Sequence, residues 1–263
     1  MGKMTNAPVY FTIVQVQFNP VLDIESYVPS IQEKMRTSGF PDYRRENTQQ
    51  LVFALTPAAD GGSPTSPAVT LRTKLVFGNI DKTTEFTLES NSMSLLTTAY
   101  DTSETFFKTF IDGLGIVNDV LRLEFIERVG LRYFDAIMPK QGELISEYLI
   151  PEVTGLYQKL DGNLVHSFFE TLTVTGGGQL TSRVVVQDGN VGLPPEMINY
   201  TKRINSKFTQ FSGRHAVLDT DAYNVGRDKF NMEKIVEKLH ALHDEVRKSF
   251  YATVTEHALS VWK

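Results

Sequence analysis

Residues 122–137, RLEFIERVGLRYFDAI, alternate apolar and polar positions over a length that reads as one long strand. Extended, Val129, Leu131, Tyr133 and Ile137 point to one face and Arg128, Gly130 and Arg132 to the other. The apolar set is the core face. Such a strand needs a cover on one side only, which fits a sheet with helices packed on that side.

The rest of the chain repeats the theme. VYFTIVQVQF (9–18) alternates and is read as a first strand, broken by Asn19-Pro20. A helix is predicted over roughly 27–38, with Ser26 as N-cap and Pro29 in the tolerant first turn. QQLVFALTP (49–57) is read as a second strand and AADGGSPTSPA (58–68) as a surface loop. AVTLRTKLVFG, TEFTLE and SMSLLTTAY are strand candidates, the last two a hairpin turning at Ser90-Asn91. A helix follows, with Phe107, Phe110, Leu114, Val117 and Leu121 as its apolar stripe.

The second half is predicted to hold a helical connector (143–160) and a hairpin of 164–175 with 179–189 across Gly176-Gly177-Gly178. A strand at 214–223 and a long helix near 230–250 follow, the helix striped by Met232, Ile235, Leu239, Leu242 and Val246. A last helix is expected from Thr253, with Glu256 completing a capping box and Trp262 as a core anchor. Both long helices follow an Ala-Tyr (Ala99-Tyr100, Ala222-Tyr223), with Phe107 and Phe230 each seven residues on. The fold class expected is therefore α+β, with antiparallel-rich sheets and helices on one face. Two similar lobes, residues 1–140 and 141–263, would be fused into one compact unit.

Composition narrows the function classes. A net charge of −5 argues against non-specific nucleic-acid binding, which draws on a basic surface. With no cysteine there is no disulfide framework, thiolate nucleophile or Cys-ligated zinc, in keeping with a cytoplasmic protein. No apolar run approaches a membrane span, and Gln15 and Gln17 interrupt what would be a signal-peptide core.

Four constellations are candidate sites. Arg128 and Arg132 lie about 13 Å apart along the strand with Gly130 as a bare floor between them. That arrangement suits a phosphate, a carboxylate or a partner's backbone. The alternative is that both arginines pair with acids such as Glu124 or Asp135. Arg72 and Lys74 share a face of another strand and would extend a basic surface if the two strands were neighbours. Asp219 and Asp221 share a strand face at the spacing that can hold a divalent cation. His240, His243 and Asp244 sit on adjacent turns of the long helix, flanking its core stripe. GLGIVN (113–118) is a near miss for a dinucleotide fingerprint; close helix–sheet packing explains Gly113 and Gly115 better. TGGGQ lacks the Lys-Ser/Thr of a phosphate loop and reads as a hairpin turn.

RVGLRYFDAI, with IVQVQFNP upstream and LDTDAY and HDEVRKSFYATVTEHALSVW downstream, resembles a sporadically distributed, uncharacterised bacterial family of about this length. Its most recognisable motif is Arg-x-Gly-Leu-Arg-Tyr, and it commonly has Asn where this chain has Asp135. The resemblance spans nearly the whole chain. It implies a bacterial or mobile-element origin, in the manner of defence or toxin–antitoxin loci, and it implies no activity.

The leading expectation is a non-enzymatic binding or regulatory protein, engaging a protein partner, a second copy of itself or an anionic ligand. Arg128, Gly130 and Arg132 would hold that ligand, with Arg72 and Lys74 beside them and no cofactor. The first alternative is a metal-dependent phosphoesterase or nuclease. There Asp219 and Asp221 would bind a divalent metal, His240 or His243 would assist, and the arginines would clamp phosphate. The second is a structural subunit of a larger assembly, which predicts a broad apolar patch outside the core.

Overall fold

The computed structural model describes residues 4–52 and 68–263. Among these residues nine strands form one antiparallel sheet: β1 (Val9–Phe18), β2 (Asp42–Val52), β3 (Ala68–Gly78), β4 (Thr84–Glu89), β5 (Ser92–Thr97), β6 (Phe125–Ile137), β7 (His166–Val174), β8 (Gln179–Gln187) and β9 (His215–Lys229). Their order is β2-β3-β4-β5-β1-β6-β9-β8-β7. β1 pairs with β5 on one side and β6 with β9 on the other, so β6, which lies within residues 1–140, pairs with β9 across the lobe boundary expected at 140/141. The remaining strands run outward, and β1 pairs with β6 at the centre.

Among the described residues there are six α-helices, four between strands and two after β9: α1 (Val28–Thr37), α2 (Ser103–Leu121), α3 (Pro151–Thr154), α4 (Ser206–Thr209), α5 (Met232–Thr253) and α6 (Glu256–Trp262). The predicted stripes are what pack. Phe107, Phe110, Leu114 and Val117 of α2 and Ile235, Leu239, Leu242 and Val246 of α5 lie in one buried cluster. Val14 and Val16 of β1 and Val129, Leu131 and Tyr133 of β6 belong to the same cluster. Truncating a side chain such as Leu114, which is fully buried, costs about 2–5 kcal/mol. At Gly113 a Cβ would run into the Phe86 ring, so this glycine seats α2 on the sheet; Gly115 has no such neighbour. Trp262 is a core anchor in a second cluster under α6.

The opposite face is covered only in part. Phe11, Phe134, Ala136 and Val217 pack there against Val191, Ile204 and Phe208 of the β8–β9 connection. That connection includes a 3-10 stretch at Pro195–Arg203, too short and polar to be read as a helix from the sequence.

Several boundaries differ from the sequence reading. The second strand runs from Asp42 to Val52 instead of 49–57, because DYRRENT forms a polar sheet edge without an apolar pattern. Residues 53–57 of that reading, and 58–67 of the loop, lie outside the described residues. A 3-10 turn, Ile24–Tyr27, precedes α1, so Tyr27 takes the N-cap position and Ser26 Oγ donates to the Asp23 carbonyl. The 143–160 connector is broken at Pro151 and Gly155 into 3-10 turns and α3. The last helix is capped by Thr255, which accepts from the Ala258 N–H; Thr253 still belongs to α5. The matched Ala-Tyr pairs are not equivalent either. Tyr100 stacks on Phe106 and Tyr133 on the helix side, whereas Tyr223 lies within β9 beside Arg128.

Candidate functional site

The alternation of β6 delivers Arg128, Gly130, Arg132 and Phe134 to the partly open face. Register then sets their neighbours. Gln15, Gly130, Tyr223 and Gln179 form one row across β1, β6, β9 and β8. Ile13, Arg132, Asp221 and Thr181 form the next, followed by Phe11, Phe134, Asp219, Arg183 and, on β7, Glu170.

Arg132 faces Asp221 across the ladder, yet its guanidinium leans one row along and makes a bidentate pair with Asp219. Nε reaches Oδ1 at 2.6 Å and Nη2 reaches Oδ2 at 2.7 Å. Arg183 joins from the far side, 3.1 Å from Asp219 Oδ2 and 2.5 Å from Glu170. Glu196 caps Arg132 at 3.3 Å, and the guanidinium lies 4.7 Å from the Phe134 ring centre. Burial works against the Arg132 charge, but the hydrogen bonds and charge of Asp219 outweigh it and hold its pKa above the ordinary arginine value.

Arg128 is placed differently. Nη1 donates to Gln15 Oε1 at 3.1 Å, and the guanidinium lies 4.6 Å from the Tyr223 ring centre. Gln15 is steadied by donating to Ser94 Oγ at 3.1 Å, and the Tyr223 hydroxyl by donating to Gln179 at 2.7 Å. A Cβ on residue 130 would stand 2.6 Å from Arg128 Nη1. Gly130 is thus the bed on which the Arg128 guanidinium lies. Among the described residues no carboxylate forms an ion pair with Arg128. Asp221, between the two arginines, makes no hydrogen bond or ion pair there either. Burial raises its pKa, while Arg128 and Arg132 pull the other way.

Two adjoining cavities open over this floor. The larger, about 610 Å³, lies over Arg132, Arg183 and Asp219, with Phe168, Val185, Leu193, Pro194 and Pro195 in its walls. The smaller, about 190 Å³, holds Arg128, Gly130, Gln15 and Met197. Both include Arg132 and Asp221, so they form one groove with two ends. The Tyr10 hydroxyl donates to the Gly192 carbonyl at 2.6 Å and pins the wall.

The other expected residues fall elsewhere. Lys74 is on β3, separated from β6 by β4, β5 and β1, and pairs with Glu89 at 3.6 Å. The β3 backbone places Arg72 equally far away, and its side chain lies outside the described residues. A joint basic surface with Arg128 and Arg132 is therefore not formed: pattern alone cannot tell which strands adjoin. His240 and His243 belong to α5, on the covered face, where both pack edge-on against Phe107. The sheet stands between them and Asp219 and Asp221, so the four residues of the metal reading do not share a cleft. Among the described residues no group of three or more His, Cys, Asp or Glu side chains is arranged to hold a metal. Neither Glu124 nor Asp135 pairs with the arginines. Asp135 sits three positions from Arg132, which puts it on the opposite face, buried and without a hydrogen-bond partner among the described residues. Burial pushes its carboxyl up to about 7.

Sequence reasoning missed Arg183, Tyr223, Gln15 and the Leu193–Glu196 wall. Gln15 and Gln17 were visible as polar interruptions of an apolar strand, on the same side as Phe11 and Ile13. The wall carried no comparable signal. No protein-family model matches the chain, and no curated protein matches it at a significant level.

Proposed function

We propose that the chain is a binding protein whose open-face groove holds a ligand with an anionic group at Arg128 and an apolar part toward Phe168, Val185 and Leu193. One observation carries this reading. On this face Arg132 and Arg183 are neutralised by Asp219 and Glu170, whereas Arg128 is buttressed by an amide and a ring and forms no direct ion pair with a carboxylate among the described residues, Asp221 acting on it only at longer range. A guanidinium held in place without a direct ion-pair partner is preorganised for one. Gly130 keeps the floor beneath it low, and Arg132 is the structural neighbour that shapes the groove.

The resemblance to a patchily distributed bacterial family extends the reading to a bacterial or mobile-element setting, in the manner of defence or toxin–antitoxin loci. The absence of cysteine and the lack of any helix, among the described residues, long and apolar enough to cross a membrane support a cytoplasmic setting.

The test is NMR titration of the Gly130 amide and the arginine side-chain signals with inorganic phosphate, phenyl phosphate and octanoate. Saturable shifts with at least one anion, lost in Arg128→Gln, are expected. No shift with any of the three, or shifts that persist in Arg128→Gln, would overturn the proposal.

A further inference from the structure

The sheet ends in two unlike edges. β2, at one end, carries Asp42, Arg44, Arg45 and Glu46, charges of the kind that discourage further pairing. β7, at the other, reads HSFFETLTV, with no Lys, Arg, Pro or bulge. Phe168 is 59% exposed, Leu172 60% and Val174 83%. Of the twelve large exposed apolar side chains among the described residues, six lie between Leu156 and Val174, so the apolar surface is concentrated at this edge.

The hairpin turn shows which backbone groups are free. Thr175 and Gly178 exchange both hydrogen bonds, Thr175 N–H to the Gly178 carbonyl at 2.7 Å and Gly178 N–H to the Thr175 carbonyl at 3.3 Å. Hydrogen-bonded pairs recur every second residue in an antiparallel ladder. Residues 173, 171, 169 and 167 therefore bond to β8, and 168, 170, 172 and 174 turn their N–H and C=O groups outward. The residues with free ladder groups are the ones with the exposed apolar side chains.

We infer that β7 is a self-pairing edge: two copies of this chain join β7 to β7 antiparallel about a two-fold axis through Thr171, making one continuous sheet. The inference does not rest on the groove reading, although Phe168 belongs both to the groove wall and to this edge. Charge and side-chain fit favour a second copy as the occupant. With Thr171 on the axis, Phe168 faces Val174 of the second copy twice over, and Glu170 faces Leu172. The alternative axis through residue 170 would set the two Glu170 carboxylates directly opposite, which is unfavourable. Each Glu170 remains neutralised by its own Arg183. The pairing satisfies about eight outward ladder hydrogen bonds, two for each of four close pairs.

The experiment uses the purified chain in sedimentation velocity and native mass spectrometry. The wild type is expected to be dimeric. Leu172→Pro removes an outward N–H and leaves the β8 ladder intact, as an edge strand tolerates. Val174→Lys is a second edge block should proline distort the strand. Both variants should be monomeric with unchanged far-UV circular dichroism. Across the axis, Thr171 and its copy form a non-hydrogen-bonded pair about 4.5 Å apart at Cα, within disulfide reach. In this cysteine-free chain, Thr171→Cys should oxidise to a covalent dimer that a reductant reverses. A monomeric wild type, with or without a foreign protein attached, overturns the inference. So does a dimer that survives both edge variants, or a Thr171→Cys chain that does not cross-link.

Discussion

The two faces of β6 treat charge in opposite ways. On the open face Asp219 is buried between Arg132 and Arg183, with hydrogen bonds from both, the two from Arg132 short. On the helix-covered face Asp135 is buried as deeply, with no partner among the described residues. The open face itself divides again, because Arg132 is locked into that network and Arg128 is not. A charged residue on this strand is structural, uncomfortable or available according to what the neighbouring strand places one row away. Burial alone does not decide it.

The largest expected effect tests the lone acid. The Asp135 carboxyl titrates near 3.8 when exposed and at about 7 in the fold. The folded state therefore holds its proton more tightly than the unfolded state. Its contribution to stability is intact below pH ~4 and is lost as pH rises from there through about 7. Asp135→Asn removes that loss. The variant should be more stable than wild type at pH 8 by at most about 4 kcal/mol, with the gain shrinking toward zero near pH 4. Urea unfolding at a series of pH values checks this; a pH-independent difference would mean Asp135 has a partner after all.

Next in size is the locked pair. Arg132→Met leaves Asp219 buried with Arg183 alone and should cost about 3 kcal/mol in the same unfolding experiment. Arg128→Met should cost less than about 0.5 kcal/mol, because it breaks only a bond to Gln15 and a ring contact. Equal losses at the two sites would erase the distinction between the ends of the groove.

Gly130→Ala should fall between the last two, at about 0.5–1 kcal/mol, since the guanidinium tip it displaces is flexible. Its sharper consequence is functional. With Arg128 lifted off its bed, anion-induced shifts in the NMR titration should weaken although both arginines remain. An undiminished response would show that the position of Arg128 does not matter to binding.

How much of this was legible beforehand differs between fold and site. Period two in β1, β3 to β6, β8 and the start of β9, and period three-and-four in α2 and α5, mark which residues are inward, because each side chain's direction follows from its own backbone. The same parity alone rules out Asp135 as a partner for Arg132. Gly130 was noticed as a weakness in a strand. Its role needed Arg128 to fold back over it, a rotamer set by Gln15 on β1 and Tyr223 on β9, more than 90 residues away on either side. The pairing of Arg132 with Asp219 depends likewise on β6 and β9 being neighbours and on their register.

By itself, then, the sequence determined most of the strands, the helices α1, α2 and α5, the core face of each and the α+β class, since these depend on local backbone geometry and apolar periodicity. Tertiary structure alone decided which of two similar arginines is spent on an aspartate, which acid is stranded, and that the histidines and aspartates lie on opposite sides of the sheet. Strand order and register bring together residues far apart in the chain, and no local pattern encodes that adjacency.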